Sequence, residues 1–429
     1  MKACRAVVVL TEQKIYKLPS AAGQRELFER YKFSKYLCPM GGRMHYDAIV
    51  AGIGSMGSAT AFQLAKRGYR VLGLEQFNIG HDLGSAHGVN RIIRLAYAED
   101  PAYVPLLRRA YELWRQLERL TKERLLVITG GVDAGPMDGT IVQGSLKSCR
   151  EHRLRHEELT SKELRRRFPG FHLPKEMGAV YQPDGGFVLS ERAIIAYVTA
   201  AQALGAEIHA REAVQRWEVK GKRVVVQTDR GSYVAERLVL TAGPWAAKLV
   251  EPLRRRRLAV PQRQVLLWTQ PRRPEFFSLG AFPVFNMEAL EGSEMNRYYG
   301  FPIFGMPGFK LGKYYHRNED VDPDRMDREC HPEDEAVLRK AIRRYFPDAD
   351  GPTMAMKTCL FTNSPDKHFV LDLHPDFPQV SIAAGFSGHG FKFASVVGDI
   401  MADLAMTGQS QLLKNIDLFR ITRRRKNVR

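Results

Sequence analysis

A chain of 429 residues with 44% apolar side chains can bury a large core, and it is longer than the usual single domain. Its formal net charge of +18 is concentrated at the ends, with +6 in residues 1–43, +6 in 414–429 and +6 left for the body, which argues against a nucleic-acid-binding surface. No apolar run reaches the roughly 18 residues of a membrane span, Ala6–Leu10 is too short for a signal-peptide core, and Cys4, Cys38, Cys149, Cys330 and Cys359 are odd in number and lack CxxC spacing. No metal site and no membrane or nucleic-acid partner are expected, and a reducing cytoplasm fits.

Residues 1–43 show no clear periodicity and end in Pro39-Met40-Gly41-Gly42. They read as a disordered or mis-assigned N-terminal extension, with Met44 or Met40 as the real start. A transit peptide is disfavoured by Glu12, Glu26 and Glu29. The fold begins at 48–75, AIVAGIGSMGSATAFQLAKRGYRVLGLE. An apolar run, the glycines Gly52, Gly54 and Gly57, a helical pattern and a second apolar run closed by Glu75 make a strand, turn, helix and strand. Gly52 allows the tight turn, Gly54 lets backbone approach a pyrophosphate, Gly57 lets the helix lie close on the sheet, and Glu75 sits where a ribose hydroxyl would be. The motif predicts a dinucleotide site without separating FAD from NAD.

A long polar loop follows at 80–90. Asp100 and Pro101 then predict a helix start, with Leu106, Leu107, Ala110, Leu113, Trp114 and Leu117 on one structural stripe. Between 126 and 187, turns and short apolar runs alternate around a charged helix at 161–167, suggesting a partly antiparallel region. The nucleotide-binding part resumes with a helix at 190–203, a meander at 215–219, 223–228 and 232–235, and a buried strand from Leu238 that turns on Gly243. Strands are expected at 264–269, 298–302 and 309–315, and a helix at 332–345. A last strand, glycine turn and helix span 380–406 and close at Thr407-Gly408. Lys392 stands beside that helix's positive N-terminus. The basic runs at 254–257 and 423–426 lack interleaved aromatics and read as solvated faces.

Taken with the dinucleotide motif, the stretches HGVNRIIR (87–94), YYGFP (298–302), FKLGK (309–313), KTCLFTNSPD (357–366) and AAGFSGHGFKF (383–393) resemble the monomeric sarcosine oxidase family, which includes N-methyltryptophan oxidase, within the D-amino-acid-oxidase-like FAD enzymes. The likeness runs from 46 to about 420. It implies an α/β and α+β protein: a discontinuous Rossmann-like FAD domain (44–127, 188–258 and 351–413), a substrate domain on a largely antiparallel sheet (128–187 and 259–350), and a basic tail (414–429). It also implies roles for particular residues. Cys359 would carry FAD covalently through a thioether. Arg94 and Lys392 would hold the substrate carboxylate by charge-assisted hydrogen bonds. Lys310 would lie over the flavin for reaction with oxygen. Arg91 would lie beside the flavin, Tyr299 would line the substrate pocket, and Gly388 and Lys392 would border the cofactor from the last glycine turn. Two positions depart from the sarcosine oxidase pattern. Tyr314 or Tyr315, with His316 beyond, stands where a histidine follows the oxygen-site lysine, and Phe361 replaces a tyrosine.

The resemblance implies a monomeric FAD oxidase that demethylates an N-methyl amino acid such as sarcosine with oxygen, giving formaldehyde, the primary amino acid and hydrogen peroxide. A relative acting on N-methyltryptophan or a cyclic imino acid is the alternative. An NAD(P)-dependent dehydrogenase would leave Cys359 and Lys310 unexplained, and a nucleic-acid-binding protein would need salt-dependent binding. No side chain is assigned as a base.

Overall fold

The computed structural model describes residues 45–290, 296–414 and 416–423. The extension expected at 1–43 and the end of the basic tail, 424–429, lie outside the described residues.

The first sheet is built on His45–Ala51. This strand runs parallel to Val71–Leu74 on one side and to Ser232–Leu240 on the other, with Glu207–His209 and Val380–Ala384 extending the parallel part. Strands covered on both faces read as nearly continuous apolar runs, and the alternation shows where each face goes. Ala48, Val50 and Val71 pack into a core with the helices Ser55–Lys66, Ser190–Ala203 and Ala394–Thr407. Ile49, Ala51, Leu72 and Leu74 face a second core with Ala246, Val250, Leu253 and Leu258. Val214–Lys220 and Arg223–Thr228 continue the sheet as an antiparallel meander.

The second sheet has the order Thr353–Asn363, Val260–Thr269, Phe309–Lys313, Arg297–Phe301, Val284–Glu288, Gly131–Pro136, Met177–Gln182 and Glu157–Thr160. Its neighbours are antiparallel except for Val284–Glu288 beside Gly131–Pro136. Because side chains alternate across a strand, Val265, Leu267, Phe309 and Leu311 pack on one face with Leu338 and Ile342 of the helix Pro332–Tyr345. Leu266, Trp268, Tyr299, Phe301 and Phe361 line the opposite face, which is the face that builds the site. The architecture is the expected one, a Rossmann-like parallel sheet joined to a largely antiparallel sheet.

Some elements differ from expectation. Thr353–Asn363, assigned by its position in the sequence to the nucleotide-binding part, pairs along its length with Val260–Thr269 of the second sheet. That partner is distant in sequence and invisible to local pattern. The meander strand at 232–235 and the buried strand from Leu238 are one strand, Ser232–Leu240, whose two halves have different partners on one edge. Thr140–His152 is a helix where turns and short runs were read. Ser145, Ser148 and Cys149 occupy its buried stripe, so its apolar period is faint. Asn90–Ile93, at the end of the polar loop, is a strand paired with Gly186–Leu189. The tail from 416 to 423 packs on the fold: Phe419 and Ile421 are buried, and Arg423 bonds both oxygens of Asp366. Among the described residues no helix is long and apolar enough to cross a membrane.

Candidate active site

The strand His45–Ala51 ends at Gly52, whose φ of +93° is a left-handed conformation that suits glycine. A β-carbon on Gly57 would stand 1.8 Å from the Gly52 carbonyl oxygen, so this glycine lets the helix start directly against the turn. Gly54, the N-cap, has open space where a side chain would be. The first turn of Ser55–Lys66 holds no acid, so its free N–H groups and positive end are open to an anion. Glu75 closes the second strand. Its carboxylate accepts hydrogen bonds from the Ile53 N–H at 2.8 Å and the Phe77 N–H at 3.0 Å. Burial pushes this carboxyl up, against those two backbone donors. Gly52, Gly54 and Glu75 line one end of a cavity of about 360 Å³ that extends to Arg91, Phe361 and Gly388. A bare turn, an acid-free helix start and an acid at the second strand's end form a cradle that fits a dinucleotide. Thr241, which the sequence did not single out, fixes the turn by donating to the Gly52 carbonyl at 2.7 Å.

In the second sheet, strand register decides which side chains meet. Asp133, Asn286, Tyr299 and Gly312 are successive register partners on four strands, so they form one row on one face of the second sheet. The Tyr299 ring lies across Gly312, where a β-carbon would come within 2.4 Å of it. In a parallel row, Lys310 is the partner of both Phe301 and Trp268. Its Nζ stands 4.2 Å from the Phe301 ring centroid and donates to Gly88 O, Asn90 O and Asn90 Oδ1 at 2.7, 2.9 and 2.8 Å. Burial pushes the Lys310 pKa down, with the Arg91 charge adding to it. Three accepting oxygens match the three hydrogens that only the ammonium form carries, which opposes that shift.

Cys359 is buried on the same face as Phe361, and its Sγ lies 3.6 Å from Arg91 Nη2. Arg91 also donates to Ser85 O at 3.0 Å. Of the two tyrosines that follow Lys313, it is Tyr314 whose ring meets both Tyr299 and Phe361, at 5.2 and 5.7 Å between centroids. His316 is turned away and bonded to Asp334.

Arg94 and Lys392 converge on a single ring: the Arg94 guanidinium carbon lies 5.0 Å, and the Lys392 Nζ 5.3 Å, from the Tyr97 centroid. Tyr97 is anchored by His389, whose Nε2 donates to Lys367 O, so that Nδ1 accepts the Tyr97 hydroxyl. Burial, above all, lowers the His389 pKa to about 3 and keeps the ring neutral. Lys392 donates to His389 O at 2.8 Å, and its own carbonyl accepts from Trp114 Nε1 at 2.9 Å. Burial, then the nearby Arg94 charge, lowers the Lys392 pKa to about 7. Arg94 bonds Asp133 and Glu99, both at 3.2 Å. Burial opposes charge on Glu99, but the Arg94 guanidinium first, with Lys392, outweighs it and draws the carboxyl down to about 2.

Of the residues singled out, Gly52, Gly54, Glu75, Arg91 and Gly388 line the cavity; Cys359 meets Arg91, Arg94 and Lys392 meet on Tyr97, and Lys310 packs on Phe301. Tyr97, Glu99, Asp133 and Asn286 were missed. The one signal for Asp133 was an acid inside an otherwise apolar stretch, GGVDAGP.

Residues 47–404 match the protein family described as FAD dependent oxidoreductase, DAO. The chain is 40% identical over 382 residues to monomeric sarcosine oxidase of Bacillus sp. (strain NS-129), covering 88% of this chain and 97% of that protein. It is 33% identical to N-methyl-L-tryptophan oxidase of Yersinia pestis (strain Pestoides F), covering 89% of this chain and all of that protein. Among solved structures it resembles the open form of NikD, an unusual amino acid oxidase essential for nikkomycin biosynthesis, with a TM-score of 0.74, 29% identity, and 86% and 95% of the two chains covered.

Proposed function

The chain belongs to the FAD-dependent oxidoreductase family, and from that premise we propose that it oxidises sarcosine or a closely similar N-methyl amino acid. Sarcosine, oxygen and water would yield glycine, formaldehyde and hydrogen peroxide. The observation that carries this reading is the pair of buried cations, Arg94 and Lys392, on the Tyr97 ring, with Tyr314 near Arg94. Two cations suit one carboxylate, and the wall of Tyr299, Tyr314 and Phe361 encloses a short apolar substituent. The Tyr314 ring contacts both of the others, which favours sarcosine over the indole of N-methyltryptophan or a cyclic imino acid.

Bound FAD supplies the acceptor for a hydride from the N-methyl carbon and passes the electrons to oxygen. The protein's own part is to bind, orient and exclude water. Gly52, Gly54, Gly57, Glu75 and Gly388 shape the cofactor's seat, Arg91 and Lys392 border its reactive end, and Tyr299 positions the substrate. Lys310 supplies a fixed positive charge for the oxygen step. The substrate amine must be neutral to release hydride, and no side chain is assigned as its base. The parts at 44–127, 188–258 and 351–413 hold the cofactor, with Arg94 and Lys392 reaching from them to the substrate and Thr353–Asn363 lying in the second sheet, and 128–187 with 259–350 serve the substrate. The named monomeric relatives and the free Cys149, Cys330 and Cys359 support a cytoplasmic monomer. Peroxide formation with sarcosine, N-methyltryptophan and L-pipecolate tests the choice of substrate. The highest kcat/KM belongs to sarcosine on this reading, and preference for either larger substrate refutes it.

Cys359 carries the flavin covalently in this account, and its Sγ lies beside Arg91, which itself borders the cavity. Acid-precipitated protein should therefore keep its yellow colour in the pellet, while Cys359→Ala should release all of its FAD to the supernatant. Acid-stable flavin in Cys359→Ala would mean that another residue forms the bond.

The clamp should also titrate. Lys392 holds its charge below its lowered pKa of about 7 and loses it above. Profiles of kcat/KM report groups of the free enzyme, so a descending limb near pH 7 is expected, superimposed on the rise from substrate amine deprotonation. Lys392→Arg stays charged throughout and should lack that limb. A limb that persists in the variant belongs to another group.

A further inference from the structure

Arg94 is 3% exposed, and two of its three nitrogens are already engaged. Nε donates to Asp133 Oδ2 and Nη2 to Glu99 Oε2, while Nη1 has no partner among the described residues. A guanidinium is planar and its donors form a fixed fork. With Nε and Nη2 occupied, the edge they share is closed to a carboxylate, and Nη1 remains. Asp133 is itself built in: it is 3% exposed, its Oδ2 also accepts from Ser145 Oγ at 2.6 Å, and its Oδ1 accepts from Asn286 Nδ2 at 3.1 Å. Its strand neighbours Val132 and Ala134 are buried and apolar. A buried acid in that setting is costly unless it is paired, and the roles assigned above to FAD and substrate do not use it.

We propose that Asp133 is a positioning residue that fixes the Arg94 guanidinium, so that Nη1 and the Lys392 ammonium each take one oxygen of the substrate carboxylate. The inference rests on Arg94 and Lys392 being the carboxylate clamp. Lys392 gives one hydrogen to His389 O and keeps two for this purpose. A carboxylate held by one nitrogen of each cation has a defined orientation, which sets where the N-methyl carbon lies. A guanidinium released from Asp133 could offer two parallel donors to the carboxylate instead. That seat binds more tightly and displaces the reacting carbon.

The test uses holoenzyme and methoxyacetate, which has oxygen in place of the sarcosine nitrogen and keeps the carboxylate. Asp133→Asn retains the size of the side chain and removes the charge that holds Nε. Methoxyacetate should bind the variant about three- to tenfold more tightly, read from its perturbation of the flavin absorbance, and KM for sarcosine should fall. Anaerobic flavin reduction by sarcosine should slow at least about tenfold, because small misplacements of a reacting atom are costly. Neutral methoxyacetamide should show no tightening. A merely structural lesion would weaken methoxyacetate and slow reduction together, and that result, or unchanged affinity, overturns the proposal. Ser145→Ala removes the second anchor of Oδ2 and should give the same opposed pair of changes in smaller degree, which keeps the test open if Asp133→Asn does not fold. Arg94→Met separates the two ideas. If it leaves methoxyacetate affinity unchanged, the clamp reading fails and the proposal with it. If it weakens binding while Asp133→Asn fails to tighten it, the clamp stands and the role of Asp133 is refuted.

Discussion

Arg94→Met is expected to lower kcat/KM for sarcosine by about thirty- to a thousand-fold, with flavin still bound. On the carboxylate-clamp reading proposed above, the change removes a charge-assisted bond to the substrate, on the order of 2–4 kcal/mol of transition-state stabilisation. It also strands one buried and one half-buried acid, because Asp133 and Glu99 both bond Arg94. Removing one partner of a buried ion pair costs roughly 3–5 kcal/mol of stability, so a lower melting temperature should accompany the kinetic loss. The two effects are separable by measuring kcat/KM per bound flavin well below the variant's unfolding transition. An unchanged value there would move the carboxylate site elsewhere, with Arg91 the first candidate.

Lys310→Met should slow reoxidation of the reduced enzyme by oxygen by about a hundred- to a thousand-fold, the scale found when one preorganised charge-stabilising group is lost. Flavin reduction by substrate under anaerobic conditions should change much less. The structure adds a complication that the sequence did not reveal. The ammonium donates to three oxygens of the loop at Gly88 and Asn90; Gly88 O and Asn90 O also accept from Asn90 N–H and Arg91 Nη1, so methionine leaves Asn90 Oδ1 as the acceptor that loses its partner, at about 1–3 kcal/mol. Lys310 therefore holds the loop, apart from the charge proposed for the oxygen step. Stopped-flow measurement of the two half-reactions distinguishes these parts. If reduction and reoxidation slow equally, the lysine acts by shaping the site and has no special part in the oxygen step.

What could be read in the sequence was what is contiguous. The turn at Gly52, Gly54 and Gly57 with Glu75 lies in one βαβ unit, and each residue's role follows from local geometry. The helix after Asp100 was equally plain, since the Asp100 carboxylate caps it by accepting from Ala102 N–H and the whole expected stripe is buried. Even so, Trp114, read as a packing residue, also donates to the Lys392 carbonyl 278 positions away. The substrate side of the site was legible only through the family resemblance, because its residues meet by sheet pairing over long separations. Cys359 and Arg91 are 268 positions apart, and Asn286 and Asp133 are 153 apart. Nothing local to Tyr97 marks it as the ring on which both clamp cations converge. Likewise, only the observed contacts of Tyr314 separate it from Tyr315 and His316.

The central claim is that hydride leaves the N-methyl carbon of a carboxylate-anchored amino acid. It is tested most directly by a single anaerobic turnover with sarcosine deuterated in the N-methyl group. The account predicts flavin bleaching with a primary isotope effect on its rate, and one equivalent each of deuterated formaldehyde and glycine. Release of glyoxylate and methylamine with no isotope effect would place the hydride donor on the other carbon and contradict it.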